Sequence, residues 1–282
     1  MKIAVLSDIH GNYVAFESCL EHALANGVTM FCFLGDYLGE FPYPQKTMEI
    51  LEQMCRQYRC VFLRGNKEDY WINRKNDTHC EWKNGNHSVY NMKHNYECLT
   101  ADQIDLFASF PISARLQFEG CAPVLLCHRA PQDNKRKLRP EDAGTNEAVD
   151  QCEERYIVCG HTHVQQVIRE DEKVVLNAGA VGVPLHSTKA QYLILEPDGR
   201  EWKYEFASVA YDRERVIREL HESGLWEKTP YWCRITANLL RVGAPAHGTV
   251  LHEVVRVNDH QDPWYNIGDS YWEEVLKAFG IE

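Results

Sequence analysis

Short apolar segments recur along the first 160 residues of the chain, and each ends at a polar residue or a glycine. They are IAVLS (3–7), MFCFL (30–34), CVFL (60–63), PVLLC (123–127) and YIVC (156–159). Continuous apolar runs of this length are typical of strands that are covered on both faces. Segments 12–26 and 44–57 have helical spacing, so the chain is predicted to begin as βαβαβ with a parallel sheet.

The pattern changes after residue 163, where strand candidates alternate with polar turns. Four of them are VQQVIRE (164–170), KVVLNAG (173–179), AQYLILE (190–196) and EWKYEFA (201–207). Their spacing predicts a meander that forms a second sheet. Residues 211–224, 232–242 and 270–279 are predicted to be helical. The polar segment 76–98 has no clear period and is interpreted as an inserted loop.

The formal net charge of −11 bears on what the chain binds. An acidic surface repels a polyanion, so the charge disfavours a nonspecific nucleic-acid binder and requires any phosphate site to be local. No stretch approaches the roughly 20 apolar residues that span a bilayer, and the N-terminal apolar run is too short for a signal-peptide core. Eleven cysteines without a C-x-x-C pair favour reduced thiols. We therefore expect a cytoplasmic protein that does not bind membranes, and the sequence leaves its oligomeric state open.

Each of the five apolar segments is followed by a short polar cluster. Side chains at the carboxyl ends of strands in an open α/β sheet converge on one crevice. Seven oxygen and nitrogen donors are therefore expected to face one another, namely Asp8, His10, Asp36, Asn66, His128, His161 and His163. Motifs such as Gly-Asp or Gly-Asn are common in turns when they occur singly. The prediction rests on the fact that five strand candidates in succession each end at such a polar cluster.

This donor set suits a pair of metal ions. Two divalent ions about 3.5 to 4 Å apart require a shared carboxylate, and Asp36 is the natural bridge. Mixed imidazole and carboxylate donors favour Mn, Fe, Zn, Co or Ni over the all-oxygen sites of Mg and Ca. Glycines at 35, 65 and 160 let the backbone turn sharply off each strand. The expected cofactors are two divalent transition metal ions, with Mn favoured.

The motifs resemble those of the calcineurin-like metallophosphoesterase family, which are D-x-H, G-D, G-N-H or G-N-C, a lone H after a strand, and G-H-x-H. The compact bacterial and archaeal phosphodiesterase-type branch is especially similar, because it begins M-K-I-x-x-x-S-D-x-H-G-N and later carries N-x-G-S-V-G-x-P. The corresponding stretches here are MKIAVLSDIHGN and NAGAVGVP (177–184). The resemblance implies a four-layer α/β/β/α sandwich, with two packed mixed sheets flanked by helices. We expect this metallophosphoesterase domain over residues 1–208, and a mostly helical C-terminal extension over 209–282 packed on it.

The resemblance also implies a ligand assignment and a reaction. One metal would be held by Asp8, His10, Asp36 and His163, and the other by Asp36, Asn66, His128 and His161. The implied reaction is hydrolysis of a small phosphodiester or phosphomonoester, in which a metal-bridging hydroxide attacks phosphorus in line. The predicted catalytic residues are His10, Asp36, Asn66 and Lys67.

Lys67 departs from the family pattern. The family usually has histidine after Gly-Asn, where it helps to protonate or stabilise the leaving group. A lysine with an ordinary pKa of about 10.4 is a poor proton donor at neutral pH, but its charge still neutralises a developing anion. We expect Lys67 to act electrostatically on the substrate phosphate or the leaving oxygen. The alternative is a solvated lysine beside Glu68 and Asp69.

A basic segment, residues 129–139, follows His128 and carries five basic residues and one acidic residue. Such a segment in an acidic protein is a candidate anion-binding rim, although loop lysines and arginines are often simply solvated. Arg129 is the predicted phosphate-binding residue, because a guanidinium can donate two parallel hydrogen bonds. If the 76–98 segment folds over the crevice, Tyr70 or Trp71 could stack on a substrate ring.

Two other functions remain open from the sequence. One is a protein serine/threonine phosphatase, and the other is a catalytically weak interaction scaffold with the same fold. The full set of seven donors counts against the scaffold, whereas Lys67 counts for it. A nuclease is disfavoured by the net charge.

Overall fold

The computed structural model describes residues 1–76, 85–140 and 142–282. The strands of these residues, numbered in chain order, are β1 (Lys2–Leu6), β2 (Val28–Phe33), β3 (Arg59–Phe62), β4 (Ser113–Leu116), β5 (Val124–Cys127), β6 (Tyr156–Cys159), β7 (Gln165–Glu170), β8 (Lys173–Ala178), β9 (Ala190–Asp198) and β10 (Glu201–Val209). The helices of the same residues are α1 (Tyr13–Ala25), α2 (Pro44–Gln57), α3 (Asn66–Asn76), α4 (His87–Glu97), α5 (Ala101–Ser109), α6 (Ala143–Asp150), α7 (Arg213–Glu222), α8 (Leu225–Lys228), α9 (Pro230–Val242), α10 (His247–Val257) and α11 (Asp269–Ala278).

The strands form two five-stranded mixed sheets. The first has the order β10-β9-β1-β2-β3. Strands β1, β2 and β3 pair in parallel, and β9 pairs antiparallel with both β1 and β10. The second has the order β4-β5-β6-β8-β7, in which β5, β6 and β8 are parallel and the two edge strands are antiparallel. The predicted α/β fold with two sheets flanked by helices is confirmed.

Side chains that point alternately to the two faces of a strand explain how the sheets pack on each other. Ile3 and Val5 of β1 belong to the buried cluster that also contains Val124 and Val158 of the second sheet. The intervening Ala4 packs instead in the cluster formed with helices α1 and α2. Because successive side chains point to opposite faces of a strand, one apolar run supplies both the inter-sheet core and the helix-covered face. The outer face of the second sheet is covered in the same way by α6.

The prediction that the four strands after residue 163 form a meander and a second sheet is wrong. β7 and β8 belong to the second sheet, whereas β9 and β10 belong to the first, where β9 pairs antiparallel with β1. The four strands therefore divide between the two sheets instead of forming one. Each of these strands has the same kind of apolar pattern, and that pattern does not specify which neighbour a strand pairs with.

The interpretation of residues 76–98 as a loop is also wrong for its second half, because His87–Glu97 forms helix α4. Residues 77–84 lie outside the described part of the chain. The helix buries polar side chains, so it lacks an apolar period. Asn91 donates from Nδ2 to the carbonyl of Glu40 (3.2 Å), and Asn95 donates from Nδ2 to the carbonyl of Gly39 (2.6 Å).

The C-terminal extension is helical, as expected, and it includes α10, which the sequence pattern did not predict. Val216, Leu220 and Leu240 of the extension share a buried cluster with Tyr13 and Phe41 of the sheet-forming region. The boundary at residue 208 stays a prediction. Among the described residues, no helix has both the length and the apolar character needed to cross a membrane.

Candidate active site

All seven predicted metal ligands lie at the edge where strands of the two sheets end. Asp8 and His10 follow β1, Asp36 follows β2 and Asn66 follows β3 in the first sheet. The others follow β5 and β6 of the second sheet, and they are His128, His161 and His163. The face-to-face packing of the sheets brings these two sets together.

The donors form two groups. Ligand atoms of Asp8, His10 and His163 lie within 4.8 Å of one another, and those of Asp36, His128 and His161 do the same. The fourth donor of the second group is Asn66, whose Oδ1 lies 3.2 Å from Nε2 of His128.

The Asp36 carboxylate lies between the two groups. Its Oδ1 is 3.5 Å from Nε2 of His128, and its Oδ2 is 3.8 Å from Nε2 of His10. The backbone N–H of Lys67 donates to Oδ1 at 2.8 Å and fixes the orientation of the carboxylate. Each oxygen of one carboxylate therefore faces a different donor group, which is the arrangement a bridging ligand requires.

Several of these donors are buried without a hydrogen-bond partner among the described residues. They are Asp8 Oδ1, His10 Nε2 and both ring nitrogens of His161. Unpaired polar atoms in a protein interior are costly, and an unplaced ion is one explanation for a cluster of them. The residues therefore fit two cations, one for each group.

Hydrogen bonds select the imidazole nitrogen that faces the site in two of the histidines. His163 Nδ1 lies 2.9 Å from the carbonyl of Val183, to which it donates, so its Nε2 keeps a lone pair. His10 Nδ1 contacts the Glu40 carboxylate, and its Nε2 points toward Asp8 and Asp36. Partners of this kind fix the ring tautomer of metal-binding histidines.

The charges of the site favour cation binding. Burial alone would raise the pKa of Asp8, but His163 and His128 hold it well below its usual range. Burial also opposes ionisation of Asp36, yet His128 and His10 keep its pKa low. Burial, together with His128 and Arg129, lowers the pKa of His161 to about 2, so this imidazole is neutral at neutral pH.

The backbone at the site is unusual. Asp8, His10, Asp36, His161 and His163 all have positive φ, between 54° and 64°. This left-handed conformation is uncommon for residues other than glycine, and such strain clusters at functional sites. The side chains can reach the crevice because the chain turns abruptly at the end of each strand.

Close backbone approach holds these turns together. A Cβ on Gly65 would lie 2.6 Å from the backbone nitrogen of Asp36, and one on Gly160 would lie 2.7 Å from Oδ2 of Asp8. The Glu68 carboxylate then accepts hydrogen bonds from the backbone nitrogens of Asp36 (2.9 Å), Tyr37 (2.9 Å) and Gly65 (2.8 Å). Glu68 therefore ties the β2 and β3 turns into one unit.

Lys67 is held by a residue that the sequence reasoning missed. Its Nζ lies 3.0 Å from Oε1 of Glu40, whose other carboxylate oxygen contacts His10. Glu40 is buried, with 3% of its surface exposed, so Lys67 is not simply a solvated neighbour of Glu68 and Asp69. An acidic residue four positions after Asp36 was the only signal in the sequence, and it had no recognisable pattern.

A cavity of about 900 Å³ opens onto the two donor groups. Lys67 and Tyr70 line it, whereas Trp71 is fully buried in the core and is not available to stack on a substrate. From the basic segment, Lys137 and Arg139 line the cavity. Arg129 is not among the lining residues, and its Nη1 donates to backbone carbonyls of its own loop at 2.9 and 3.3 Å. Phosphate binding by Arg129 stays a prediction.

The opposite wall of the cavity comes from the C-terminal extension. Helix α9 contributes Trp232 and Leu239, and the first two turns of α10 contribute His247 and Leu251. Trp264, on the segment before α11, also lines the cavity. No short motif marks these residues, and sequence reasoning left the role of the extension open.

A comparison with known families agrees with this geometry. The model of the calcineurin-like phosphoesterase superfamily domain matches residues 1–200. The chain belongs to this superfamily. The match confirms the resemblance seen in the five motifs. Calcineurin-like phosphoesterases typically bind divalent metals, and the two donor groups are the candidate positions for them here.

Similar proteins match more than four fifths of this chain. An uncharacterized protein of Methanocaldococcus jannaschii is 26% identical in an alignment of 250 residues that covers 82% of this chain and 94% of that protein. A metallophosphoesterase of Sphaerobacter thermophilus has a similar structure, with a TM-score of 0.69 and 23% identity over 86% of this chain and all of its own. A hypothetical protein of Pyrococcus horikoshii has a TM-score of 0.72 and 18% identity, covering 87% of this chain and 99% of its own. At these identities the two structures establish the fold.

Proposed function

We propose that this calcineurin-like phosphoesterase hydrolyses a small phosphodiester or phosphomonoester at a centre of two divalent metal ions. The observation that carries the proposal is the Asp36 carboxylate, whose two oxygens face different groups of buried donors. One ion is assigned to Asp8, His10, Asp36 and His163, and the other to Asp36, Asn66, His128 and His161. The mixed nitrogen and oxygen donors favour Mn, with Fe, Zn, Ni or Co as alternatives.

The protein's own residues have two tasks in this reaction. The buried carboxylates and imidazoles hold the ions in a fixed arrangement. When bound, such ions acidify a water molecule and neutralise charge on the phosphoryl oxygens. Lys67, held on Glu40 at the cavity wall, adds a positive charge beside the phosphate or the leaving oxygen. Glu40 raises the pKa of Lys67 further, against the effect of burial, so Lys67 acts through its charge and not as a proton donor.

The test is hydrolysis of p-nitrophenyl phosphate and bis-p-nitrophenyl phosphate with added Mn, in wild-type protein and in Asp36→Asn. We expect wild-type turnover and loss of at least about a thousandfold in the variant, because bridging charge stabilisation is worth several kcal/mol. Asp102→Asn, at an exposed position on α5, is the matched control and should behave as wild type. Turnover that persists in Asp36→Asn would place the chemistry elsewhere.

The cavity supports a small substrate over a phosphoprotein. The extension covers one side of the metal centre, and the whole cavity is about the size of a small-molecule site. A phosphopeptide in the same assay tests the protein phosphatase alternative, and metal content after purification tests the scaffold alternative. The cytoplasmic location and the absence of a nucleic-acid partner stay predictions.

A further inference from the structure

His247 is one of the polar residues that the C-terminal extension places in the cavity, together with Thr249 and His252. It is the first residue of α10, and it lines the same cavity as Asp36, His161 and His163 of the metal centre. Its ring packs on Trp232, with ring centroids 4.8 Å apart. A residue 84 positions beyond His163 therefore faces the space where the substrate would lie.

A chain of two hydrogen bonds fixes the tautomer of His247. The Thr236 hydroxyl donates to the carbonyl of Trp232 at 2.8 Å, so its oxygen has a lone pair but no further hydrogen to give. Nε2 of His247 lies 2.8 Å from that oxygen and must therefore carry the hydrogen. Thr236 is fully buried, which leaves no water to compete for this contact.

The other ring nitrogen consequently presents a lone pair. Nδ1 of His247 has no hydrogen-bond partner in the described parts of the chain, and the ring borders the cavity. Burial lowers the pKa of His247 to about 4, so the imidazole is neutral at neutral pH. A neutral imidazole held in this way accepts a hydrogen bond and does not donate one from Nδ1.

His247 shares the cavity with apolar residues of the extension, and it lies within electrostatic reach of Glu40, Lys67, His10 and His163. Trp232, Leu239, Leu251 and Trp264 line the cavity with it and offer apolar contact to the organic group of a substrate. A phosphoryl oxygen has no hydrogen to offer an acceptor, and the cations Lys67, Lys137 and Arg139 line the cavity in addition to the metal centre. The phosphate is therefore assigned to the metal end of the cavity, formed by the two donor groups. The organic group is assigned to the helical wall, formed by the cavity-lining residues of α9 and α10 together with Trp264.

We propose that His247 is a specificity-determining residue that accepts a hydrogen bond from a hydroxyl of the substrate's organic group. The substrate class is then a phosphate ester of a sugar-like group, with hydroxyl donors for Nδ1 and an apolar face for the surrounding side chains. This inference rests on the proposed phosphoesterase function. A site built to accept a substrate hydroxyl rejects an analogue that lacks it, because the buried acceptor is left unpaired.

The experiment compares matched substrates that differ only in hydroxyl groups. The pairs are glycerol 1-phosphate with propyl phosphate, and AMP with 2′,3′-dideoxy-AMP, each assayed with added Mn. The wild type should prefer the hydroxylated member of at least one pair by about 10- to 100-fold in kcat/KM. In His247→Phe, which keeps a ring but has no acceptor, the ratio should fall toward one.

Two further sets of variants separate this role from a structural one. His221→Phe makes the same change at an exposed histidine of α7 that does not line the cavity, and it should keep the wild-type ratio. Thr236→Val removes the oxygen that fixes the tautomer and should lower the ratio, whereas Thr236→Ser keeps that oxygen and should retain it. The ¹⁵N NMR spectrum of the wild type gives a readout independent of turnover, since it should show His247 protonated at Nε2 and not at Nδ1.

The outcomes distinguish this inference from the proposed function. If the wild type hydrolyses p-nitrophenyl phosphate but shows no preference within either pair, the assignment of His247 is overturned while the phosphoesterase function stands. An unchanged ratio in His247→Phe, or NMR signals of an Nδ1-protonated ring, overturns it in the same way. A wild type that hydrolyses none of the probes removes the proposed function, and the inference is lost with it.

Discussion

The two walls of the cavity are built in different ways. At the metal end, each donor follows a strand closely, and the strand order of two packed sheets fixes its position. At the helical wall, Trp232, His247 and Trp264 come from separate elements of the extension, and their positions depend on how those elements pack. The candidate metal ligands are therefore encoded in local motifs, whereas the residues that would recognise a substrate are brought together by tertiary packing.

This comparison has a measurable consequence. Changes at the metal end should affect every substrate alike, because they alter the reacting centre. Changes at the helical wall should alter which substrate is preferred and leave the metal content as it is. The distinction between the two walls would be contradicted if substitutions at both walls had the same effects on substrate preference and metal content.

The largest effect is expected from loss of a single ligand at the metal end. His128→Ala and His163→Ala each remove a donor from a different group, so each should lower the bound metal from two ions to one and reduce turnover at least about a thousandfold. Metal analysis of the purified protein measures the first effect. His252→Ala, on the helical wall, should keep both ions. Equal metal loss in all three variants would contradict the separation.

A substitution at Glu40 tests a residue that contacts the candidate ligand His10 without being a predicted ligand itself. Glu40→Gln weakens the contact that orients His10 and leaves Lys67 without its anion, so we expect metal affinity to fall about 10- to 100-fold. Competition with a chelator measures this affinity without any turnover. The matched control is Glu49→Gln, at an exposed position on α2. An unchanged affinity in Glu40→Gln would mean that Glu40 only holds Lys67.

Lys67 should affect turnover without affecting metal content. Lys67→Met keeps the length of the side chain but removes its charge, and we expect kcat/KM for p-nitrophenyl phosphate to fall about tenfold, equivalent to about 1.4 kcal/mol. Lys67→Arg keeps a positive charge near Glu40 and should recover part of the activity. Full activity of the Lys67→Met protein on every substrate would show that Lys67 has only a structural role.

The smallest effect is expected at the outer part of the helical wall. Trp264 borders the cavity with 44% of its surface exposed, so Trp264→Ala should raise KM for AMP only a few-fold, by the loss of partial apolar contact. Phe279→Ala is the control, because Phe279 is 39% exposed and does not line the cavity. A fall in kcat with bound metal lost would show that the two walls are not independent.

The contrast between local motifs at the metal end and tertiary packing at the helical wall explains which residues could be predicted from the sequence. The seven donors were recognisable because a polar cluster followed each apolar strand, and strand ends converge for topological reasons. Helix α4 was missed because its buried face includes polar residues. Asn91 and Asn95 are buried and donate hydrogen bonds to backbone carbonyls, so the helix has no apolar period. Glu40 and His247 were missed because their partners, His10 and Thr236, are defined only once the chain is folded.

The positive φ angles of the candidate ligands carry a consequence for protein engineering. At Asp8, His10, Asp36, His161 and His163 the backbone has a conformation that glycine adopts without steric cost. Exchange to glycine would release strain of about 1 kcal/mol or more at each position while it removes a donor. A directed-evolution campaign should therefore screen for turnover from its first round, because melting temperature alone does not register the loss of a donor at these five codons.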